Sequence, residues 1–386
     1  PPGSVSGPED AVAWLAPGGS RATTRLLAGA LRGGLSVQSS EEAFTHEGRE
    51  YPRGTLIVPA SGNGEDVVSR LQALAEETGA EVVGAGESWV TAGPDFGSRS
   101  APRIVAPRIA LAWDTPTDIY APGATRFVIE REIGYPVIPI RTSTLKDADL
   151  NRFDVLILPD ASERFGGYSE ILGDEGRDHL ADWVDGGGVL VTMAGATEWA
   201  SHPDVDLLAI RAEHQVRDED DEEVESKEGD SGPDEDAPVA GRVPGIRIES
   251  AAEFQRVVQP ERENPDPVAG VLVRAESDPD HWLTAGVAGS VQVLVRGDRV
   301  FRPMPREAGR DVVRFAGPED LLAAGLLWDE NRAQLAYKPF VVHQPRGRGM
   351  VIGFTEDPTV RAYLDGLNTL LANAVLRAPT YSERLR

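Results

Sequence analysis

Cysteine is absent from the 386 residues. That excludes a disulfide framework, a zinc–thiolate site, an iron–sulfur cluster and a cysteine nucleophile. Lysine is nearly absent, occurring only as Lys146, Lys227 and Lys338. A lysine-dependent phosphate loop is hard to build from that supply, and no Gly-x-x-x-x-Gly-Lys-Ser/Thr occurs. No run of 18 apolar residues is present, so no membrane-spanning helix is expected. Positive charge is also short: 38 basic residues face 63 acidic ones, a formal net charge of −25. Nucleic-acid binding needs a basic surface and is not expected. The chain opens Pro-Pro-Gly-Ser, without an initiator Met or a signal-peptide pattern, and reads as a piece of something longer.

What is present is an alternation of apolar strands and amphipathic helices. The pattern predicts a small α/β domain over residues 1–90, a Gly/Ser/Pro/Arg-rich linker over 91–107, and a larger α/β domain over 108–386. In the first, Ser20 is placed to cap a helix running to Leu31, and strands are expected at Leu35–Gln38, Thr55–Pro59 and Glu81–Gly84. A helix following Asn63-Gly-Glu-Asp66 has apolar residues at helical spacing. Strands interleaved with helices at this interval imply parallel pairing.

The second domain reads strand (Arg108–Trp113), helix (Gly123–Ile133), strand (Tyr135–Ile140), strand (Phe153–Pro159), helix (Glu175–Val184) and strand (Val189–Met193). The fold class is therefore α/β, with a doubly wound, flavodoxin-like parallel sheet. Two insertions interrupt it. Residues 213–241 are acidic low-complexity sequence, expected to be a mobile surface segment; residues 218–236 alone hold 12 acidic side chains against one basic. Residues 246–315 carry strand signals, at Gly245–Glu249, Val271–Arg274 and Val291–Val295. Strands at Gln334–Gln344 and Gly349–Phe354, then a helix from about Pro358 to Leu376, close the chain.

The chemistry-bearing residues are sparse. Zinc peptidases need three protein ligands and an open position. None of the six histidines (His46, His179, His202, His214, His281, His343) has a Glu three residues on, and His-Glu-x-x-His is absent. His179 with Asp182 reads as a solvated helix face, and His202-Pro-Asp204 as a loop cap. A strand-to-turn elbow would need a nucleophile at its apex. The turn after Val189–Met193 is Ala194-Gly-Ala-Thr197, whose only hydroxyl, Thr197, is expected to cap the following helix. Gly186-Gly-Gly188 follows a helix and precedes a strand, so it is a helix stop. The default ligand position of such a sheet is the crevice at the carboxyl ends of its strands. There the candidates are Asp114, Asp160, Thr197, Glu198 and Glu356, with Asp357 beside them. The competing role for these carboxylates is to cap neighbouring helix N-termini. For a hydrolase with an unrecognised site, His281 and His343 are the plausible bases.

Several stretches in order resemble one family: Pro107-Arg-Ile-Ala-Leu-Ala-Trp113, Gly123-Ala-Thr125-Arg-Phe127 with Ile129-Glu130, Gly134-Tyr-Pro136-Val137, Phe153–Asp160, Gly187-Gly-Val-Leu-Val191, and Phe354-Thr-Glu-Asp-Pro358 through Arg361 with Asn373-Ala374. Leu15-Ala-Pro17 and Tyr51–Pro59 precede them. The set is similar to the C-terminal region of large bacterial zinc carboxypeptidases, relatives of carboxypeptidase A. There, a domain like class I glutamine amidotransferases, without its nucleophile, follows the peptidase domain. The resemblance implies a zinc exopeptidase parent, secreted or periplasmic, whose zinc ligands and catalytic glutamate lie in a domain absent here. It carries over no catalytic residue and no cofactor. The partner it implies is that peptidase domain or a second copy of the chain. Three further roles compete: a ligand-binding module using the strand-end crevice, an independent hydrolase, and a self-assembling structural protein.

Overall fold

Why the first unit folds as it does starts with its caps. Ser20 accepts a hydrogen bond from the Thr23 N–H at 3.0 Å, satisfying a free donor at the start of a helix that Gly33 ends. In the computed structural model, residues 2–8, 10–161, 166–216, 247, 250 and 263–383 are described. Its first elements are β1 (Ser4–Ser6), β2 (Ala13–Ala16), α1 (Arg21–Arg32), β3 (Gln38–Ser39), β4 (Phe44–His46), β5 (Arg49–Tyr51), β6 (Leu56–Pro59), α2 (Val67–Thr78) and β7 (Glu81–Ala85).

The sheet order is β1-β7-β2-β6-β3. The expected parallel pairing holds for β1 with β7; β2 runs antiparallel to both its neighbours, and β3 antiparallel to β6. The reason is topological. The strand β3 and the β4–β5 hairpin intervene after α1, so the chain enters β6 from the end at which β2 finished. The α2 crossover then joins β6 to β7, parallel to each other but separated by β2. Within the stretch expected as a linker, Phe96 and Ala101 are buried against Phe44 and Tyr51.

The second sheet begins with β8 (Ile109–Trp113). Then come α3 (Ala121–Phe127), which runs on as a π-helical turn over Val128–Ile133, and β9 (Ile138–Arg141). Next are β10 (Val155–Leu158), α4 (Gly167–Asp185), β11 (Val189–Met193) and α5 (Gly195–Ser201). Gly186 stops α4 as expected of the glycine triplet. After the acidic stretch, most of which lies outside the described residues along with Gly245–Glu249 except Arg247, come β12 (Val268–Ser277), β13 (Ser290–Gly297), β14 (Arg310–Phe315) and β15 (Leu322–Ala324). The chain ends with α6 (Asp329–Leu335), β16 (Pro339–Arg346), β17 (Gly349–Phe354) and α7 (Asp365–Leu376). Gln334 therefore belongs to a helix, not to the strand expected over Gln334–Gln344; β16 starts at Pro339.

Counting β8 first, the parallel strands lie in the order β9-β8-β10-β11-β17, that is 2-1-3-4-5, the flavodoxin-type doubly wound arrangement. Every residue of β10, β11 and β17 is buried, as strands covered on both faces must be. Antiparallel strands β16, β14, β12 and β13 extend this sheet beyond β17. One buried apolar cluster includes Leu27 and Leu71 from the first unit and Val191, Phe340 and Leu371 from the second. At their seam the buried Arg377, just past α7, donates to Asn373 Oδ1 (2.8 Å), to the Gly54 carbonyl (3.4 Å) and to Ser39 Oγ.

Candidate functional site

Strand β11 ends in a sharp turn. Ala194 takes φ 48° and ψ −114°, a conformation costly for any residue with a Cβ, and the chain passes directly into α5. The Ala194 N–H donates to the Phe354 carbonyl and the Gly195 N–H to Asp160 Oδ1, both at 2.8 Å. A Cβ at position 195 would lie 2.6 Å from the Ala161 carbonyl oxygen and 2.9 Å from Asp160 Oδ1, so only glycine fits. This is the strained strand-to-helix elbow that presents a nucleophile in hydrolases of related design. Its apex is an alanine methyl. Thr197, expected as a helix cap, instead sits inside α5, fully buried. Its hydroxyl donates to the Phe354 carbonyl (2.7 Å) and pairs with Thr192 (2.9 Å), because strands β11 and β17 close over it.

Around this turn lie several of the strand-end carboxylates, together with a cation that no local sequence pattern marks. Asp160 lies two residues past β10, Glu198 lies on α5, and Glu356 and Asp357 follow β17. Arg299, just beyond β13, reaches over these strand ends, with its guanidinium 3.9 Å from Asp160. Burial works against the charge on Arg299, but Glu356, Asp160 and Glu198 together hold it on the group. Burial pushes the Glu356 carboxyl up to about 8, against the pull of Arg299 and a hydrogen bond from the Arg296 N–H. Burial also raises Asp357, whose Oδ1 accepts from the Thr359 N–H (2.7 Å) and hydroxyl (2.6 Å). The strand-end carboxylates thus face a counter-charge from within the same chain. The only sequence signal for Arg299 was indirect: several buried carboxylates require a cation, but nothing local marks which one. Asp114 stands apart. Its carboxylate is more than half exposed, accepts from the Thr115 N–H (3.0 Å) and faces Arg141 at 3.9 Å.

The two histidines singled out as bases meet although 62 residues apart. His281 Nε2 lies 3.0 Å from His343 Nδ1, with the rings edge to face. Burial lowers both, to about 3 and about 4, with the His343 ring a further cause for His281, so both rings are neutral at pH 7. Trp282 stacks on Tyr381 (4.5 Å) and meets the His343 ring edge-on. They border a cleft of about 550 Å³ that runs from Glu41 of the first unit to Arg306–Arg310 of the second. The other expected histidine roles resolve simply. His202 Nδ1 accepts from the Asp204 N–H (3.3 Å), a loop cap. His179 is half-buried and bonds the Ala148 carbonyl (2.8 Å) rather than lying on a solvated face. Among the described residues no three His, Asp or Glu side chains gather as a metal-ligand set, and no helix is long and apolar enough to cross a membrane.

No family model and no curated protein matches the chain. Among solved structures it is similar to a ThuA-like protein from Bacteroides uniformis, at 14% identity over 69% of this chain and 89% of that one (TM-score 0.39). It is also similar to a cytoplasmic protein from Salmonella typhimurium, at 12% identity over 70% and 98% (TM-score 0.39). A glutamine amidotransferase from Thermotoga maritima aligns at 9% identity over 70% and 97% (TM-score 0.39). The strand order and the elbow at Ala194 make this an α/β protein with an amidotransferase-like, doubly wound sheet.

Proposed function

We propose that this chain is a non-catalytic accessory and assembly region of a zinc-dependent exopeptidase, built on an amidotransferase-like domain whose own chemistry has been lost. The observation that carries the non-catalytic half is the alanine at the apex of an intact elbow. Arg299 supports it by occupying the crevice where a substrate would enter. The accessory half is favoured by apolar side chains left in solvent. Ile119 (72% exposed) and Tyr120 (76%) stand at the start of α3, and Tyr363 follows the turn over Val360–Ala362 that packs on α3. Such surface suits a partner domain. The peptidase parentage and its export rest on the ordered sequence resemblance alone, and the zinc of such an enzyme would be held outside this segment.

Two experiments test the reading. The coding sequence upstream of Pro1 should contain a His-x-x-Glu zinc domain, and deleting the present segment from the full chain should lower peptidase stability or activity. An upstream sequence without such a domain removes the peptidase assignment. Separately, Ala194→Cys should restore no glutamine hydrolysis, because the crevice offers carboxylates and an arginine but no imidazole base. Turnover by that variant would show the site to be catalytic machinery needing one side chain.

A further inference from the structure

The outermost strand of a sheet presents a row of N–H and C=O groups without neighbours, and native chains blunt such edges. Of the four strands that end the two larger sheets, three are blunted. Strand β1 has only three residues. Strand β3 has two, and later chain runs along it: the Ser39 N–H donates to the Pro102 carbonyl (3.1 Å) and the Ile104 N–H to the Val37 carbonyl (2.8 Å). Strand β9 has four, among them Pro139, which offers no N–H, and the exposed Arg141. Strand β13 is the exception. It is eight residues long, with no proline and no charged side chain before Arg296. The Ser277 N–H donates to the Gly289 carbonyl (3.1 Å), which in the β12–β13 register turns the backbone groups of Val291, Val293 and Val295 toward β12. The Arg296 N–H points the other way, to Glu356. The N–H and C=O groups of Ser290, Gln292 and Leu294 therefore face outward, and among the described residues nothing bonds them.

The side chains suit this edge to a copy of itself. Val291, Val293 and Val295 are buried in the apolar core, while Ser290 and Gln292 are exposed and Leu294 half-buried on the other face. No acidic residue occurs from His281 to Gly297, although the chain holds 63 of them and a net charge of −25. Two such chains repel each other over most of their surface, and along β13 they meet no opposed carboxylates. The free groups centre on Gln292. An antiparallel pairing about a twofold axis there sets Gln292 opposite Gln292 of the second copy and Ser290 opposite its Leu294, each pair exchanging both backbone hydrogen bonds. Val291 then faces Val293 of the copy in a pair where side chains approach closest, and the Arg296 N–H stays on Glu356. We infer that β13 is a self-association edge through which two copies of this chain join their ten-stranded sheets. A single strand seam is small, so the dimer is a weak one, in the micromolar range. Such pairing uses neither the elbow nor the crevice and holds with or without a peptidase parent.

Sedimentation of the whole chain tests it. A monomer–dimer equilibrium should appear below about 100 µM protein and tighten as salt rises from about 0.05 to 0.5 M, because screening relieves the repulsion between two negative copies. Gln292→Pro removes an outward N–H that no ladder bond of the monomer uses. It should leave the thermal midpoint of the dilute chain unchanged and weaken the dimer at least about tenfold. Leu294→Lys, which sets a charge on the seam, should weaken it likewise and gives the same reading should the proline variant misfold. Amide hydrogen exchange locates the contact: the Gln292 and Leu294 amides should exchange fast in dilute protein and become protected in concentrated protein. A strict monomer at about 100 µM in both salts overturns self-pairing and leaves the edge to an extended segment of another protein. A dimer that survives both substitutions, or that leaves those two amides unprotected, overturns it as well, by placing the contact on another face such as that of Ile119 and Tyr120.

Discussion

Glu356 is a single residue whose burial is written into the pH dependence of the whole chain. Its folded-state value, about 8, lies above the ordinary 4.5 of a free glutamate. Its contribution to stability is therefore complete below about pH 4.5 and is lost as pH rises through about 8. Glu356→Gln should flatten that alkaline decline in thermal unfolding followed between pH 5 and 9; an unchanged profile would mean that Glu356 ionises freely in the fold. The histidine pair acts with the opposite sign. Both values are depressed from 6.5, so their contribution is present above that value and is lost as acid protonates the unfolded chain, progressively from about pH 6.5 to below 4. Replacing His281 and His343 together by Gln should flatten the acid limb of the same curve. At this scale the sequence marked Asp160 and Glu356 because strand ends can be read from apolar runs. It could not mark Arg299 as their partner, since that pairing spans more than a hundred residues from Asp160.

The elbow between β11 and α5 shows backbone strain held in place by its surroundings. The backbone at Ala194 is held in a region that only glycine visits without cost. Three hydrogen bonds hold it there: the Ala194 N–H on the Phe354 carbonyl, the Gly195 N–H on Asp160, and the Thr197 hydroxyl on the Phe354 carbonyl. Ala194→Gly should relieve the strain and stabilise the protein by about 1 kcal/mol, read by denaturant unfolding. A destabilised variant would show that the buried methyl group matters more than the dihedral angles. Helix α1 and the glycine stop at Gly186 were legible because caps are local chemistry. The antiparallel placement of β2 was not, because strand direction depends on which end of the sheet the chain re-enters after β3 and the β4–β5 hairpin.

For the molecule as a whole, Arg377 is the clamp between the two units. Its guanidinium bonds Asn373, Ser39 and the Gly54 carbonyl, while Asn373 in turn donates to the Leu283 and Ala285 carbonyls, each at 2.8 Å. Arg377→Met leaves those groups unsatisfied and should cost roughly 3 kcal/mol, seen as a lower thermal midpoint. An early separate transition for the first unit would show the two to be uncoupled folding units. The net charge of −25 makes a second demand on the molecule. Self-repulsion at that charge should be relieved by salt, so the midpoint should rise between low and physiological ionic strength.

The missing cysteine, the sparse lysines and the alternating apolar segments were enough to determine an α/β chain with a doubly wound sheet and no thiol chemistry. Those are properties of composition and local periodicity, which a sequence carries directly. Only the tertiary structure decided that Arg299 faces the strand-end carboxylates, that the elbow is built around Ala194, and that His281 and His343 meet. Each of those depends on residues far apart in the chain being brought within hydrogen-bond or ion-pair distance, and burial then sets which of them are charged.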